Sequence, residues 1–163
     1  MDKIPSFSYQ RFDSRSGAQS ALDIALESAR RSVKIFDRDG EFYGLDRPTI
    51  SDCLNRLLKT SPDTTVSIIV QRTHFIQRDC TRLVNVLKIH APRFQILRLD
   101  PRLASFERGY IIIDSSVVIR RPHFDQRVTY WDVDEQQIAG ASRLFSDLRV
   151  NTVPAIAASV TGL

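Results

Sequence analysis

The sequence has few cysteines and contains no long apolar run. Cys53 and Cys80 are the only cysteines among 163 residues, and neither lies in a CxxC pair or beside a group of histidines. This usage does not indicate a disulfide framework or a structural zinc site. No segment approaches the ~18 apolar residues of a membrane-spanning helix, and the N-terminus carries no apolar signal segment. We therefore expect a cytoplasmic chain without a membrane span, a metal or a cofactor.

Lysine is also scarce, so the positive charge of the chain comes from arginine. The 23 Lys+Arg residues include four lysines and face 19 Asp+Glu, which gives a net charge of +4. Arginine presents a planar fork that suits phosphate and carboxylate, whereas lysine is a point charge. A mild basic excess permits a phosphate-bearing small molecule or nucleic acid as partner. It equally fits a solvated surface with no partner.

The apolar pattern alternates between helical and strand spacing, which is typical of an α/β protein. Predicted helices start near Ser16, Thr49, Thr73 and Asp134, with the last three residues as N-caps, and predicted strands cover 33–36, 65–70, 94–99, 110–113, 117–119 and 128–131. The order predicts one domain with a mixed β-sheet flanked by helices, antiparallel where Ser115 and Ser116 turn the chain. We place this domain at 16–150, after an arm or short edge strand at 1–15 and before a tail at 151–163.

Charged residues follow several predicted strands at the point where each strand ends. Ligands of open α/β sheets bind beyond the carboxyl ends of the parallel strands. If 117–119 runs parallel to the other strands, its charged end joins the same rim. The predicted anion contacts are Arg72, His74, Arg120, Arg121 and His123, and the predicted supporting residues are Asp37, Arg38, Asp39 and Asp114. Alternatively, these residues only anchor loops, since polar residues commonly begin where strands end.

Two of these residues, His74 and His123, could also be catalytic. A pair of imidazoles across a cleft can supply a nucleophile and a general acid for phosphoryl transfer. A histidine beside arginines is more often a hydrogen-bonded structural residue or a ligand contact. We therefore keep a catalytic role for either histidine as an alternative.

The half of the chain from about 94 to 150 has the order strand, linker, strand, aspartate, turn, strand, charged turn, strand and amphipathic helix. This order resembles one repeat of the phospholipase D superfamily. Active repeats carry HxKxxxxD, and aligning its aspartate with Asp114 places Glu107 at the histidine and Gly109 at the lysine. The resemblance implies that the attacking histidine and the phosphate-binding lysine are absent. Ordinary phospholipase D chemistry should therefore be lost.

Three short segments also resemble a small bacterial family of uncharacterised phospholipase D-like domains. They are FDRD at 36–39, VIRRPH at 118–123 and TGL at 161–163. Together these observations predict a non-catalytic phospholipase D-like domain that binds a phosphate-bearing ligand or nucleic acid through its Arg/His rim. The alternatives are a phosphodiesterase that uses His74 or His123, and a homodimeric protein-interaction module.

Overall fold

A mixed eight-stranded sheet forms the centre of the protein. The computed structural model describes residues 8–156, and the predicted fold class, a single α/β domain with a mixed sheet flanked by helices, is confirmed. The helices are α1 (Arg15–Ser28), α2 (Pro48–Thr60), α3 (His74–Asp79), α4 (Thr81–His90) and α5 (Glu135–Arg149). The strands are β1 (Tyr9–Phe12), β2 (Ser32–Asp37), β3 (Thr65–Val70), β4 (Phe94–Leu99), β5 (Gly109–Ile113), β6 (Val117–Arg121), β7 (Thr129–Asp132) and β8 (Thr152–Pro154).

The strand order, β1-β7-β6-β5-β2-β3-β4-β8, places parallel strands in the middle. β2, β3 and β4 are parallel because α2 and the α3–α4 pair carry the chain back between them. β5 is antiparallel to β2, and β6 is antiparallel to β5, so β6 runs in the same direction as β2. The ends of β2, β3, β4 and β6 therefore share one side of the sheet, which we call the carboxyl edge.

The sheet separates two buried clusters of apolar side chains. Residues of α1, α2 and α4 pack on one face against alternate strand positions such as Ile35 and Ile111. The neighbouring positions Phe36 and Ile112 point to the opposite face and pack with α5. A strand such as β3, whose last five residues are all buried, is typical of the centre of a sheet covered on both faces. The helices thus fix which side chains reach each face of the carboxyl edge.

Helix starts were predicted with mixed success. The Asp134 prediction is confirmed, since the Asp134 carboxylate accepts a hydrogen bond of 3.1 Å from the Gln137 N–H. The Thr49 prediction is wrong, because the N-cap of α2 is Arg47 and Thr49 is already the second residue of the helix, after Pro48. The Thr73 side chain makes no capping hydrogen bond either. The helix predicted from Thr73 is interrupted at Cys80, where the backbone leaves the helical region, and it forms α3 and α4.

Short strands extend the sheet on both sides of the range 16–150. β1 pairs antiparallel with β7, as the edge-strand interpretation of the N-terminal arm expects, and β8 pairs antiparallel with β4. The domain limits themselves stay predictions. The TGL segment at 161–163 lies outside the described residues. Within residues 8–156, no helix combines the length and apolar character that a membrane crossing needs.

Asp114 lies at the edge of the sheet opposite the carboxyl edge, in the turn between β5 and β6. Asp114 and Ser115 both have φ of +56°, as in the type I′ turns of tight hairpins. The Asp114 carboxylate accepts hydrogen bonds from the N–H groups of Arg30, Arg31 and Ser32, at 2.7, 2.7 and 2.9 Å. Asp114 therefore fastens the hairpin to the start of β2, far from the rim that it was expected to support.

Replacing Asp114 tests this fastening role. We expect Asp114→Ala to lower the free energy of unfolding by about 2–3 kcal/mol, because three N–H groups lose a charged acceptor and alanine disfavours positive φ. Urea denaturation measures the change. Asp63→Ala, in the exposed turn before β3, is the matched control and should change stability by less than about 0.5 kcal/mol. Equal stability of the two variants would contradict the assignment.

Candidate anion-binding site at the carboxyl edge

A buried ion pair joins the ends of β2 and β6. Asp37 and Arg121 are the last residues of these strands, and Arg121 Nη1 lies 3.5 Å from Asp37 Oδ1. Asp37 is fully buried and Arg121 is 7% exposed. β5 runs between them and begins at Gly109, which has no side chain to separate the two groups. Gly109 lies close to this pair, since a Cβ atom there would be 3.5 Å from Asp37 Oδ1.

The remaining donors of Arg121 hold the adjoining loop. Its Nε donates to the Gln126 carbonyl at 3.1 Å, and its Nη2 donates to the Phe124 carbonyl. The guanidinium carbon also lies 3.6 Å from the centre of the Phe42 ring. Asp37 in turn accepts a hydrogen bond of 2.9 Å from the Gly40 N–H. Arg121 is therefore occupied in positioning the loops of this edge.

Burial dominates the electrostatics of this pair. It raises the pKa of the Asp37 carboxyl, and the positive charge of Arg121 acts in the opposite direction. Burial likewise lowers the pKa of Arg121, against the effect of Asp37. The pKa of the neighbouring Tyr43 hydroxyl is raised, first by burial and then by the Asp37 charge. All three groups share a medium in which charge is costly, so neither partner of the pair is readily dispensable.

A second cluster lies at the surface beside the pair and is centred on His123. Its Nε2 lies 2.9 Å from Glu107 Oε2, and its Nδ1 accepts a hydrogen bond of 3.1 Å from the Asp125 N–H. Because Nδ1 is an acceptor, the proton of the neutral ring lies on Nε2, the nitrogen that faces Glu107. The Asp125 carboxylate meets Arg38 Nη1 at 3.2 Å. Glu107, His123, Asp125 and Arg38 thus form one chain of polar contacts.

Three members of this chain could in principle hold a metal ion. Among residues 8–156, Glu107, His123 and Asp125 form the one group of metal-ligating side chains whose ligand atoms lie close together, within 4.8 Å of one another. The two carboxylates approach different ring nitrogens, however, since Asp125 Oδ2 is 3.7 Å from Nδ1 while Glu107 faces Nε2. One ion can use only one of these nitrogens. The hydrogen bonds described above account for the arrangement.

A cleft of about 450 Å³ opens beside both clusters at the carboxyl edge. It is lined by Arg15, Arg38, Asp39, Glu41, Phe42, Arg121, Phe124, Asp125, Gln126 and Arg127. Arg15 is engaged with the carbonyls of Glu41 and Phe42, at 2.7 and 3.1 Å. Arg127 is exposed, and Arg38 is one-quarter exposed and lies 5.2 Å from the Phe124 ring centre. Arg38 and Arg127 are therefore the guanidiniums best placed to meet a ligand.

The structure gathers some predicted site residues and separates others. Asp37, Arg38, Asp39, Arg121 and His123 lie together at the carboxyl edge, as the parallel direction of β6 requires. The backbone N–H of Arg72 donates to the Arg38 carbonyl at 2.9 Å, but its exposed side chain is not part of the cleft lining. His74 is exposed on α3, and its Nε2 lies 2.9 Å from Arg78 Nη1.

Two expected neighbours lie elsewhere. Arg120 was expected to share a concavity with Arg121, but successive strand residues point to opposite faces of a sheet. The Arg120 guanidinium carbon accordingly lies 5.0 Å from the Tyr130 ring centre. Asp114 lies at the opposite edge, as described above.

Four residues of the cleft were not predicted from the sequence. Arg15 begins α1, Phe42 lies in the loop after β2, and Phe124 and Arg127 lie in the loop after β6. Loop residues follow no periodic pattern that would have placed them at this edge. The one available signal was the aromatic residue in each charged loop, because arginine commonly packs on aromatic rings.

The sheet order and the helices on both faces define a phospholipase D-like fold, and solved structures support this. TrmBL2, described as an archaeal chromatin protein with a novel mode of DNA binding, matches with a TM-score of 0.68 and 13% identity over 94% of this chain and 56% of that chain. NucT from Helicobacter pylori matches with a TM-score of 0.63 and 16% identity over 90% of this chain and 98% of that chain. Nuc from Salmonella typhimurium, described as a phospholipase D family member, matches with a TM-score of 0.62 and 15% identity over 90% of this chain and 97% of that chain.

These structures confirm the resemblance to a single phospholipase D repeat at the level of the fold. This chain spans little more than half of the TrmBL2 chain and nearly all of the NucT and Nuc chains. Residues 14–146 match the family described as Domain of unknown function (DUF7931), and the chain belongs to that family. No curated protein sequence matches the chain.

The position that aligns with the motif lysine has no room for a side chain. A Cβ atom added at Gly109 would lie 3.0 Å from Phe124 Cε1 and 3.0 Å from the Phe36 carbonyl oxygen. Glu107, at the position of the motif histidine, is half-exposed and bound to His123. An aromatic ring and an ion pair thus fill the space around the start of β5.

Two glycine substitutions with opposite expected effects test this packing. Gly109→Ala should lower the free energy of unfolding by about 1–3 kcal/mol, because backbone and ring atoms must shift to admit the methyl group. Gly140→Ala is the matched control. A Cβ there meets nothing within 4 Å, so the same change should raise helix stability by about 0.5–1 kcal/mol. Denaturant titrations that gave both variants the same sign would contradict the packing.

The ion pair is tested by Arg121→Ala, which leaves the Asp37 carboxylate buried and unpaired. At neutral pH the free energy of unfolding should fall by about 3–5 kcal/mol. The already raised pKa of Asp37 rises further without Arg121, so the folded variant binds a proton while Asp37 of the unfolded chain is still ionised. The deficit should therefore shrink as the pH falls from about 7 towards about 5.

The exposed Arg127→Ala variant serves as the control for that measurement. It should change stability by less than about 0.5 kcal/mol over the same pH range. A deficit in Arg121→Ala that stayed constant or grew on acidification would show that Asp37 is not the group left unpaired.

Proposed function

We propose that the chain binds phosphate-bearing ligands in the cleft at the carboxyl edge and does not hydrolyse them. The proposal rests on one combination of features. The cleft is lined by arginines, and the position that aligns with the motif lysine is Gly109, where neighbouring atoms leave no room for a side chain. Four guanidiniums and three carboxylates line the cleft, and the carboxylate of Asp125 is already engaged with Arg38. A bound phosphate would compete with Asp125 for Arg38 and would meet Arg127 from the other side.

The groups of the site have different roles in this proposal. Arg38 and Arg127 contact the phosphate, since planar guanidiniums suit its oxygens. Arg121 positions the loops and does not contact the ligand, because its donors are engaged with Asp37, Phe124 and Gln126. His123 lies at the rim beside the cleft and can contact a ligand that extends beyond it. Arg72 lies on the same edge and can meet a ligand longer than the cleft.

The similar structures are consistent with a phosphate diester as the shared chemistry. TrmBL2 is described by its mode of DNA binding, and Nuc is described as a phospholipase D family member. Both descriptions involve phosphate diesters, either in a nucleic acid or in a lipid. A free phosphate ester has the same oxygens. Binding measurements must therefore compare a small ligand with DNA.

The loss of hydrolysis follows from the groups that replace the motif. Glu107 brings a negative charge to the place of the attacking imidazole and repels a phosphate. Gly109 offers no charge for the non-bridging oxygens. Since Nδ1 of His123 accepts from the Asp125 N–H, the neutral ring carries its proton on Nε2 and presents no lone pair to the cleft at that atom.

One observation favours a hydrolase as the second candidate. The 2.9 Å contact between Glu107 and His123 can orient and polarise an imidazole, as carboxylates do in general acid–base sites. His74 has less support because it faces the positive charge of Arg78. His123 is thus the residue that a phosphodiesterase would use.

Salt-dependent binding tests the proposed function. Pyrophosphate, followed by calorimetry, and a short labelled DNA duplex, followed by fluorescence anisotropy, provide the two ligand classes. For the duplex, Arg127→Ala and Arg38→Ala should each weaken binding about three- to tenfold and reduce the slope of log affinity against log salt by about one. Lys59→Ala, on the exposed end of α2, removes the same charge elsewhere and should leave both quantities unchanged. An affinity that does not change with salt, or wild-type affinity in both arginine variants, would contradict phosphate binding in the cleft.

Turnover is measured on the same preparations with bis(p-nitrophenyl) phosphate. We expect no release of nitrophenolate above the level of the His123→Ala variant. Release by the wild-type chain that disappears in His123→Ala would replace the binding proposal by the hydrolase.

A further inference from the structure

A row of tyrosines and arginines crosses the sheet on the face opposite the cleft. In the register of the strands, Arg11 of β1 lies opposite Tyr130 of β7, Tyr130 lies opposite Arg120 of β6, and Arg120 lies opposite Tyr110 of β5. Cross-strand partners point to the same face, so these four side chains lie side by side over a width of about 15 Å. Tyr9, two residues before Arg11, projects on the same side. We call this set of five residues the tyrosine face.

Part of this face is left open by the packing of α5. That helix covers the face at β4, β5 and β6, and its apolar side chains lie over Ile112 and Val118. Beyond it, Tyr9 is 55% exposed, and Tyr110, Arg120 and Tyr130 are each partly exposed. These side chains form a surface that a partner can reach.

The rings and cations of the tyrosine face contact one another. The ring centres of Tyr9 and Tyr130 are 6.0 Å apart, and their planes are tilted by 33°. The Arg120 guanidinium carbon lies 5.0 Å from the Tyr130 ring centre, and its buried Nε has no hydrogen-bond partner in the described part of the chain. Arg120 is therefore packed beside an aromatic ring without an acid partner at Nε.

The charges of the face suit an anionic partner. Arg11 is paired with Asp13 at 3.0 Å, but both side chains are more than half exposed, and such surface pairs exchange easily for another anion. Asp132, which lies opposite Tyr9 in the register, is an acidic residue of the same face. Asp132 is the last residue of β7 and lies outside the row formed by Arg11, Tyr130 and Arg120.

We propose that the tyrosine face binds single-stranded nucleic acid, with bases stacked on Tyr9 and Tyr130 and phosphates held by Arg11 and Arg120. Exposed aromatic residues on a sheet, interleaved with arginines, are the means by which proteins hold unpaired bases. A duplex keeps its base faces stacked inside the helix, so it offers nothing to these rings. The phosphates alone would not need aromatic partners.

This inference goes beyond the cleft, because it uses different residues on the other face of the sheet. Arg120 and Arg121 are consecutive, and their opposite directions divide the charge of the β6 end between the two surfaces. A protein partner would also find aromatic side chains here, and the test includes that outcome.

Fluorescence anisotropy of a labelled oligothymidylate of about eight nucleotides tests the inference. Tyr9→Ala and Tyr130→Ala should each weaken binding about fivefold or more, because each removes a stacking platform, while Tyr9→Phe and Tyr130→Phe should retain most of the affinity. The substitution at Tyr9 affects an exposed side chain, so it remains informative even if Tyr130→Ala fails to fold. Ile89→Ala, an exposed position of α4, is the control.

Arginine variants separate this surface from the cleft. For the oligothymidylate, Arg11→Ala should reduce the slope of log affinity against log salt by about one, whereas Arg127→Ala of the cleft should leave that slope unchanged. A wild-type chain that binds the oligonucleotide no better than a hairpin duplex of the same length would overturn the inference. Unchanged affinity in both Tyr9→Ala and Tyr130→Ala would also overturn it. The tyrosine face would then be assigned to a protein partner.

Discussion

The buried pair between Asp37 and Arg121 is the interaction on which the architecture of the carboxyl edge depends. It joins β2 and β6 across β5, whose residue at this end is Gly109. The same guanidinium holds the loop after β6 through two carbonyls and packs on Phe42. Since burial disfavours both charges, each is stable mainly through the other.

This pair also determines the chemistry available at the edge. Aligning the phospholipase D motif on Asp114 places Glu107 at its histidine and Gly109 at its lysine, and Phe124 packs against Gly109. The guanidiniums of the neighbouring loops line the cleft at this edge, and the imidazole of His123 contacts Glu107 beside it. Guanidiniums suit phosphate oxygens, and the proposed function uses this property.

The strands and helices could be predicted from the sequence because their burial imposes a period. The apolar run at 65–70 and the stripe after Asp134 correspond to β3 and α5. The end of β6 could be placed at the rim once its direction was assumed. Side-chain direction was harder, since Arg120 and Arg121 differ by one residue and point to opposite faces. The contributions of Arg15 and Arg127 depend on loop paths, which no periodic pattern determines.

The central claim is that ligand phosphate meets Arg38 and Arg127 while Arg121 stays bound to Asp37. An NMR titration of the chain, with ¹⁵N in its arginine side chains, against a thymidine dinucleotide tests this most directly. The account predicts that the Nε–H signals of Arg38 and Arg127 shift with ligand, that the Arg121 signal stays in place, and that the phosphorus spectrum shows intact diester. A shift confined to Arg121, or the appearance of a phosphate monoester, would contradict it.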